Sequence, residues 1–314
     1  RVDRRQRQMC IRDSIKKAAV SGVALAALLL AGCAGGAGTA ADPEKPASDE
    51  IALLPKDDEI AALLPDAIAD KGTLVFATDA TAPPNQFIDT DGKTIIGNEI
   101  DFANQIASIL GVKAEFVNVS FDSIIPGLQA GRYDLSISGF RDTKEREELV
   151  DFVTYAKAGP QLFVLAENAD KFETLEDLCG HSYAAQSGTV GETAVQEQSE
   201  KCVAAGKDPV DIKVFKSQSD QVQAVASGQV DAGAQNSPNN VYLEEQTGGT
   251  LVGVGKPFVE GPWGMPIPKD TGLTEAIHAA TQKLIESDQY MAILKKWNDE
   301  DQAIDESVIN GATS

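Results

Sequence analysis

Histidine is almost missing from this chain: His181 and His278 are the two imidazoles in 314 residues. Neither sits in a serine nucleophile elbow, and the sequence has no phosphate-cradling glycine loop and no CxxC pair at zinc spacing. Acid–base catalysis needs positioned groups of this kind, so no metal site and no cofactor is expected. Basic residues are scarce too, with 27 Lys and Arg against 48 Asp and Glu and a net charge of −21. Seven of the bases fall within residues 1–32, leaving 20 basic against 46 acidic side chains for the rest. Such a surface repels phosphate backbones, which argues against nucleic acid as a partner. The apolar run Ala18 to Leu30 has roughly thirteen residues, short of the about 20 that span a bilayer. What is present is ordinary for a packed domain: 42% hydrophobic residues and a length that allows one large domain or two smaller ones.

The basic, then apolar, start reads as an export signal. Lys16 and Lys17 open it, and it closes in Leu30-Ala31-Gly32-Cys33, which resembles the lipobox of bacterial lipoproteins. That resemblance implies cleavage before Cys33 and a lipid on its thiol, hence an extracytoplasmic, membrane-tethered protein. The first dozen residues, Cys10 among them, read as non-native sequence. Residues 1–32 are therefore set aside as leader, and residues 33–71, rich in Ala, Gly, Pro and acids, read as a lipidated flexible tether. Within the tether, the similar stretches Glu50 to Pro55 and Glu59 to Pro65 read as short helical turns. Cys179 and Cys202, 23 residues apart in the exported part, read as a disulfide.

From Gly72 onward, strand and helix patterns alternate. Thr73 to Thr78 is a buried strand, and Glu99 to Leu110 places Ile100, Ala103, Ile106, Ala107 and Leu110 on one helical face before Gly111. Ala114 to Val117, Asp134 to Ser138 and Val150 to Val153 follow as strands, with helices at Phe121 to Ala130 and after a Thr143 N-cap. A second block repeats the logic with strands at Leu162–Ala166, Ser182–Ala185, Ile212–Phe215 and Val230–Ala234. Two helices near the end bury Ile277, Ala280 and Leu284, then Ile293, Leu294 and Trp297. The alternation implies an α/β fold of two mostly parallel sheets, with a cleft between two lobes as the ligand site.

Several stretches, in order and spacing, resemble the family 3 extracellular solute-binding proteins, receptors for polar amino acids in ABC importers. They are Ala77-Thr78-Asp79-Ala80-Thr81, Gly97 to Ala103, Phe121 to Asp134, Ile137-Ser138-Gly139-Phe140-Arg141-Asp142-Thr143-Lys144-Glu145-Arg146, Gln186-Ser187-Gly188-Thr189 and Gly228 to Ala232. The resemblance spans about residues 72–300. It implies a periplasmic-binding-protein-like (type II) fold, with 72–159 and 256–314 as lobe 1, 160–255 as lobe 2, and two crossover segments as the hinge. It also implies a monomer that captures a small polar solute, an amino acid or related carboxylate, and hands it to ABC permease subunits. Arg146 matches the arginine that grips the ligand carboxylate, a task suited to its planar fork. Ser138 and Gly139 would add polar contacts, and Ser187, Gly188 and Thr189 would act from lobe 2 at a helix N-terminus. Asp79 would face a ligand cation or fix its loop, and Phe121 would pack in the cleft.

Three positions depart from the family pattern. Ala82 stands where an aromatic usually stacks on the ligand, and Asn236 stands where an acid often holds its ammonium. Arg141 replaces a small hydroxyl residue. A lost carboxylate and a gained guanidinium shift the cleft toward positive, favouring an acidic amino acid, an opine or a related carboxylate. The alternative for Arg141 is a salt bridge to Asp142, Glu145 or another acid. An extracytoplasmic enzyme on the same fold, such as a cyclohexadienyl dehydratase-like protein, is the rival function; the scarcity of acid–base residues near the motifs favours a receptor and not an enzyme.

Overall fold

A computed structural model describes residues 51–313. The expected leader and Cys33 lie outside the described residues. So does the start of the expected tether, but its second half is not a tether. Asp57 caps α1 (Asp58–Ala61) by accepting from the Glu59 and Ile60 amides, and α2 (Asp66–Lys71) ends at left-handed Gly72. Leu64 is buried, and Ile51, Leu54, Ile60 and Ile68 pack on the core beside it. The Leu54 amide donates to Gln105 Oε1 at 2.8 Å, and Asp57 pairs with Lys283. The physical reason is compositional: the two Ile-Ala-Leu-Leu-type stretches carry enough apolar surface to be drawn onto a neighbouring core.

β1 (Thr73–Thr78) opens the first lobe. Three short antiparallel strands, β2 (Thr81–Ala82), β3 (Gln86–Ile88) and β4 (Ile95–Ile96), lead into α3 (Asn98–Leu110). β5 (Lys113–Asn118), α4 (Ile124–Gln129), β6 (Leu135–Ser136), α5 (Lys144–Glu147) and β7 (Asp151–Ala158) follow. β1 is flanked by β5 and β6, both parallel to it. β7 runs five residues past the strand expected at Val150–Val153, because it pairs along its length with a strand near the end of the chain.

At Gly159 the chain enters β8 (Pro160–Leu165) and the second sheet. β9 (Ser182–Gln186), α6 (Val190–Ala204), β10 (Asp211–Phe215), α7 (Gln218–Ala226), β11 (Ala232–Asn236), α8 (Ser237–Gln246) and β12 (Leu251–Val254) complete it. The strand order is β10-β9-β11-β8-β12, parallel over the first three and antiparallel where β8 and β12 join. Cys179 and Cys202 are joined by a disulfide with Cα atoms 5.6 Å apart, tying α6 to the turn before β9. Residues 255–260 then return the chain to β13 (Gly261–Ile267), antiparallel to β7, and to α9 (Thr274–Ile285) and α10 (Asp288–Lys296).

Each sheet has its own core. Leu74, Phe76, Phe102, Ile106, Tyr155, Trp263, Ile277 and Ile293 fill the first. Leu162, Val164, Tyr183, Val195 and Cys202, with Phe163, Val225 and Leu251 on the opposite face, fill the second. Two strand connections join the lobes, which places a cleft at the carboxyl ends of the parallel strands, where α/β sheets bind ligands.

Candidate functional site

Four of the cleft's segments are strand ends. β1 delivers Asp79, β6 delivers Ser138 and Gly139, β9 delivers Gln186 and Thr189, and β11 delivers Gln235 and Asn236. The cavity they line is small, about 60 Å3. Asp79, Ala82, Phe121, Ser138, Gly139, Arg141, Arg146, Thr189 and Asn236 all line it. Ser187 and Gly188 do not: they lie on the seam between the lobes. There Ser187 Oγ donates to Asp122 Oδ2 at 3.1 Å, and the Gly188 carbonyl accepts from Arg146 Nη2 at 2.8 Å.

Arg146 is set by local structure. The Thr143 hydroxyl accepts the Arg146 amide at 3.3 Å, capping α5 and starting the turn that carries the guanidinium to the cleft. The guanidinium lies 5.2 Å from the Phe140 ring centre and 5.9 Å from that of Phe121, two rings stacked 4.2 Å apart. Its Nη1 donates to the Arg141 carbonyl at 2.7 Å. Burial brings its pKa down to about 10, still charged at neutral pH. Among the described residues no carboxylate forms a salt bridge with it. Two of its five donors are spoken for by carbonyls, which leaves three for a ligand. Opposite, Thr189 caps α6 by accepting from the Glu192 amide at 3.1 Å. The amides of Val190 and Gly191, in the first turn of α6 and on the cleft wall, have no helical carbonyl to bond. A guanidinium facing a helix N-terminus is a site for a carboxylate.

Asp79 supplies the opposite charge. It is buried, and burial lifts its pKa to about 6 against the opposing bonds from Thr81 Oγ1 (2.9 Å) and Gln186 Nε2 (2.6 Å). Glu99 lies one layer deeper. It accepts from the Gly139 amide at 2.8 Å and from Tyr155, and its burial pushes its pKa to about 7. Gly139 needs its positive φ of 60° to turn that amide inward.

The sequence reading missed the carboxamides. Asn85, Gln86, Gln186, Gln218, Gln235 and Asn239 line the same cleft. Some of them also close it, since Asn239 Nδ2 in lobe 2 donates to Asn85 Oδ1 in lobe 1 at 2.7 Å. Gln186 and Gln235 adjoin predicted residues and were within reach of the motif; the others come from segments with no signature.

Arg141 lies at the cleft without the salt bridge that was its alternative. It lines the cleft but is only 3% exposed, and its Nη1 and Nη2 donate to the carbonyls of Pro262 (3.1 Å) and Glu260 (2.9 Å). Neither Asp142 nor Glu145 takes it in a salt bridge; Asp142 is itself pushed to about 7 by burial and the neighbouring Glu147.

Residues 74–300 match the sequence profile of the bacterial extracellular solute-binding proteins, family 3. The chain belongs to that family. Arginine-binding protein ArgT of Corynebacterium glutamicum is 34% identical over 253 residues, 80% of this chain and 83% of the relative. Among solved structures, an ancestral arginine-binding protein bound to arginine superposes with a TM-score of 0.67 at 36% identity, over 72% of this chain and 98% of that one. An ancestral amino acid-binding protein described as a precursor of cyclohexadienyl dehydratase superposes with a TM-score of 0.67 at 34% identity, over 75% and 99%. Family 3 proteins are amino-acid-binding components of ABC transporters and work outside the cytoplasm. In this member, no helix among the described residues is long and apolar enough to cross a membrane.

Proposed function

We propose that this family 3 protein is the receptor of an ABC importer for a polar amino acid, gripped by its carboxylate at Arg146 and by a side-chain cation at Asp79. The observation that carries the reading is the charge arrangement of the cleft. A guanidinium without a carboxylate partner among the described residues, the α6 N-terminus, a buried carboxyl and several carboxamides line one cleft. That pattern suits a zwitterion with a polar or basic side chain. The names of the relatives support arginine as the first compound to try. The acidic ligand expected from Arg141 loses support, because that residue is only 3% exposed, whereas Arg146 is half-buried and keeps donors free toward the cleft. Asn236 keeps an acceptor for the α-ammonium but not its charge.

The same reading assigns 72–159 and 256–314 to lobe 1 and 160–255 to lobe 2, with 51–71 joined to lobe 1. It takes Cys33 as the lipid anchor and the protein as a monomer docking on permease subunits. The test is a thermal-shift panel of amino acids and small carboxylates on refolded protein. A ligand at a hundred times its Kd stabilises by about 2.7 kcal/mol, several degrees for a domain this size. A selective shift with L-arginine or another polar amino acid is expected. No shift across the panel from folded protein would overturn the assignment. Recovery of the ligand chemically unchanged separates receptor from enzyme, and loss of membrane association in Cys33→Ala checks the anchor.

A further inference from the structure

Arg141 has a partner far along the chain, outside the motifs of the cleft. Its guanidinium lies flat across Gly261, where a Cβ would fall 2.0 Å from Cζ and from both terminal nitrogens. Gly261 is not among the glycines with positive φ, so its bare backbone serves this approach and not a turn. Gly261 opens β13, and Glu260 ends the connection that returns the chain from lobe 2. The Glu260 carbonyl therefore lies at the end of the hinge connection, and the Pro262 carbonyl on the strand it enters. On its other side, the Arg141 carbonyl accepts Arg146 Nη1, and Arg146 Nη2 reaches the Gly188 carbonyl of lobe 2. A bonded path thus runs from the seam of lobe 2, through the candidate carboxylate anchor, to the hinge strand.

We propose that Arg141 is a positioning residue that ties the carboxylate anchor to the hinge and favours the closed arrangement of the lobes, without contacting the ligand. An arginine can do this because its fork bonds two carbonyls at once, one at the end of the connection and one in β13. A buried guanidinium needs its partners, so it favours whichever lobe angle supplies both carbonyls. Hinge closure rotates the backbone of the connecting segments, and a residue bonded to only one of the two states shifts the equilibrium toward it.

The inference rests on the amino-acid reading for its ligand readout alone; the lobe angle is measurable by small-angle scattering without ligand. Three variants are compared: Arg141→Met, which keeps the stem and loses the donors; Gly261→Ala, which keeps the arginine and fills its place; and the double variant. Each single change should shift ligand-free scattering toward an open form. Each should also speed dissociation of the tightest binder among L-arginine, L-glutamine, L-cystine and L-glutamate by about tenfold, with the order of preference unchanged. The double variant should match Arg141→Met, because the added methyl then meets no guanidinium. A reordered panel in Arg141→Met would make Arg141 a ligand contact and overturn the proposal. So would unchanged scattering in both single variants, or a Gly261→Ala effect that persists fully in the Arg141→Met background. If Arg141→Met does not fold, Gly261→Ala against wild type decides by the same scattering shift. If nothing binds wild type, the proposed ligand class fails while the scattering comparison still decides the role of Arg141.

Discussion

Arg146 and Asp79 divide the work of the cleft by charge, and each makes its own prediction. Arg146→Ala should weaken the ligand by roughly 10- to 150-fold, as expected for losing charge-assisted hydrogen bonds worth about 1.5–3 kcal/mol. Arg146→Lys should recover only part of this, because a point charge lacks the fork and stacks less well on Phe121 and Phe140. Isothermal titration of both variants checks the order. Asp79 faces Thr81, Gln186 and the Phe121 backbone, with Asp122 near enough to raise its pKa further. A cationic ligand needs the charged carboxylate, so affinity should fall as pH drops through about 6. Asp79→Asn should bind weakly with no such step, whereas Glu99→Gln should retain it. A pH-independent affinity for a basic amino acid in the wild type would remove Asp79 from the site.

Among the elements, those with an apolar stripe were legible from their period, and the others only from a cap or a motif. α3 buries Ile100, Phe102, Ala103, Ile106, Ala107 and Leu110, and its periodicity stands in the sequence. α6 buries only Gly191, Val195, Gln198 and Cys202, and α8 buries only Asn239 and Asn240. Those faces pack through small residues, a disulfide and amide hydrogen bonds, which leave no hydrophobic period to read. The disulfide makes α6 testable. Replacing Cys179 and Cys202 by Ser should cost about 3 kcal/mol by the loop-entropy argument, read as a lower midpoint in urea. The segment 51–71 gives a second test. Leu64→Ala should cost about 2–4 kcal/mol if α1 and α2 belong to the lobe-1 core. A tether would lose nothing. Chains starting at residue 72 should melt below chains starting at residue 49.

At the scale of the whole molecule, closure is made of polar bonds between the lobes. Gln186 to Asp79, Asn239 to Asn85, Ser187 and Lys216 to Asp122, and the Gln218 amide to Thr81 all cross the seam. Stability should also depend on pH through four buried acids. Asp79 and Asp299 are raised to about 6, and Glu99 and Asp142 to about 7. A raised carboxyl pKa contributes stability that is full below its unfolded value near 4 and is lost as pH rises through 6 to 7. The lowered acids, such as Asp151 and Asp231, act in the opposite sense only below about 4. The melting temperature should therefore decline from about pH 5 to about pH 8, with the self-repulsion of a −21 chain adding to the trend. Glu99→Gln should flatten the slope. A melting temperature that rises over this window would refute the account.

The sequence alone determined the α/β alternation, the family, the Cys179–Cys202 pair and the motif residues that line the cleft. These follow from period, spacing and residue chemistry, which are local properties of a chain. Only the tertiary structure decided which way Arg141 turns, that six further carboxamides share the cleft, and that residues 51–71 join lobe 1. Each of these depends on what the rest of the fold places opposite the residue. A guanidinium goes to whichever acceptors reach it in low dielectric, and here the bare backbone at Gly261, 120 positions along the chain, brought two carbonyls within bonding distance.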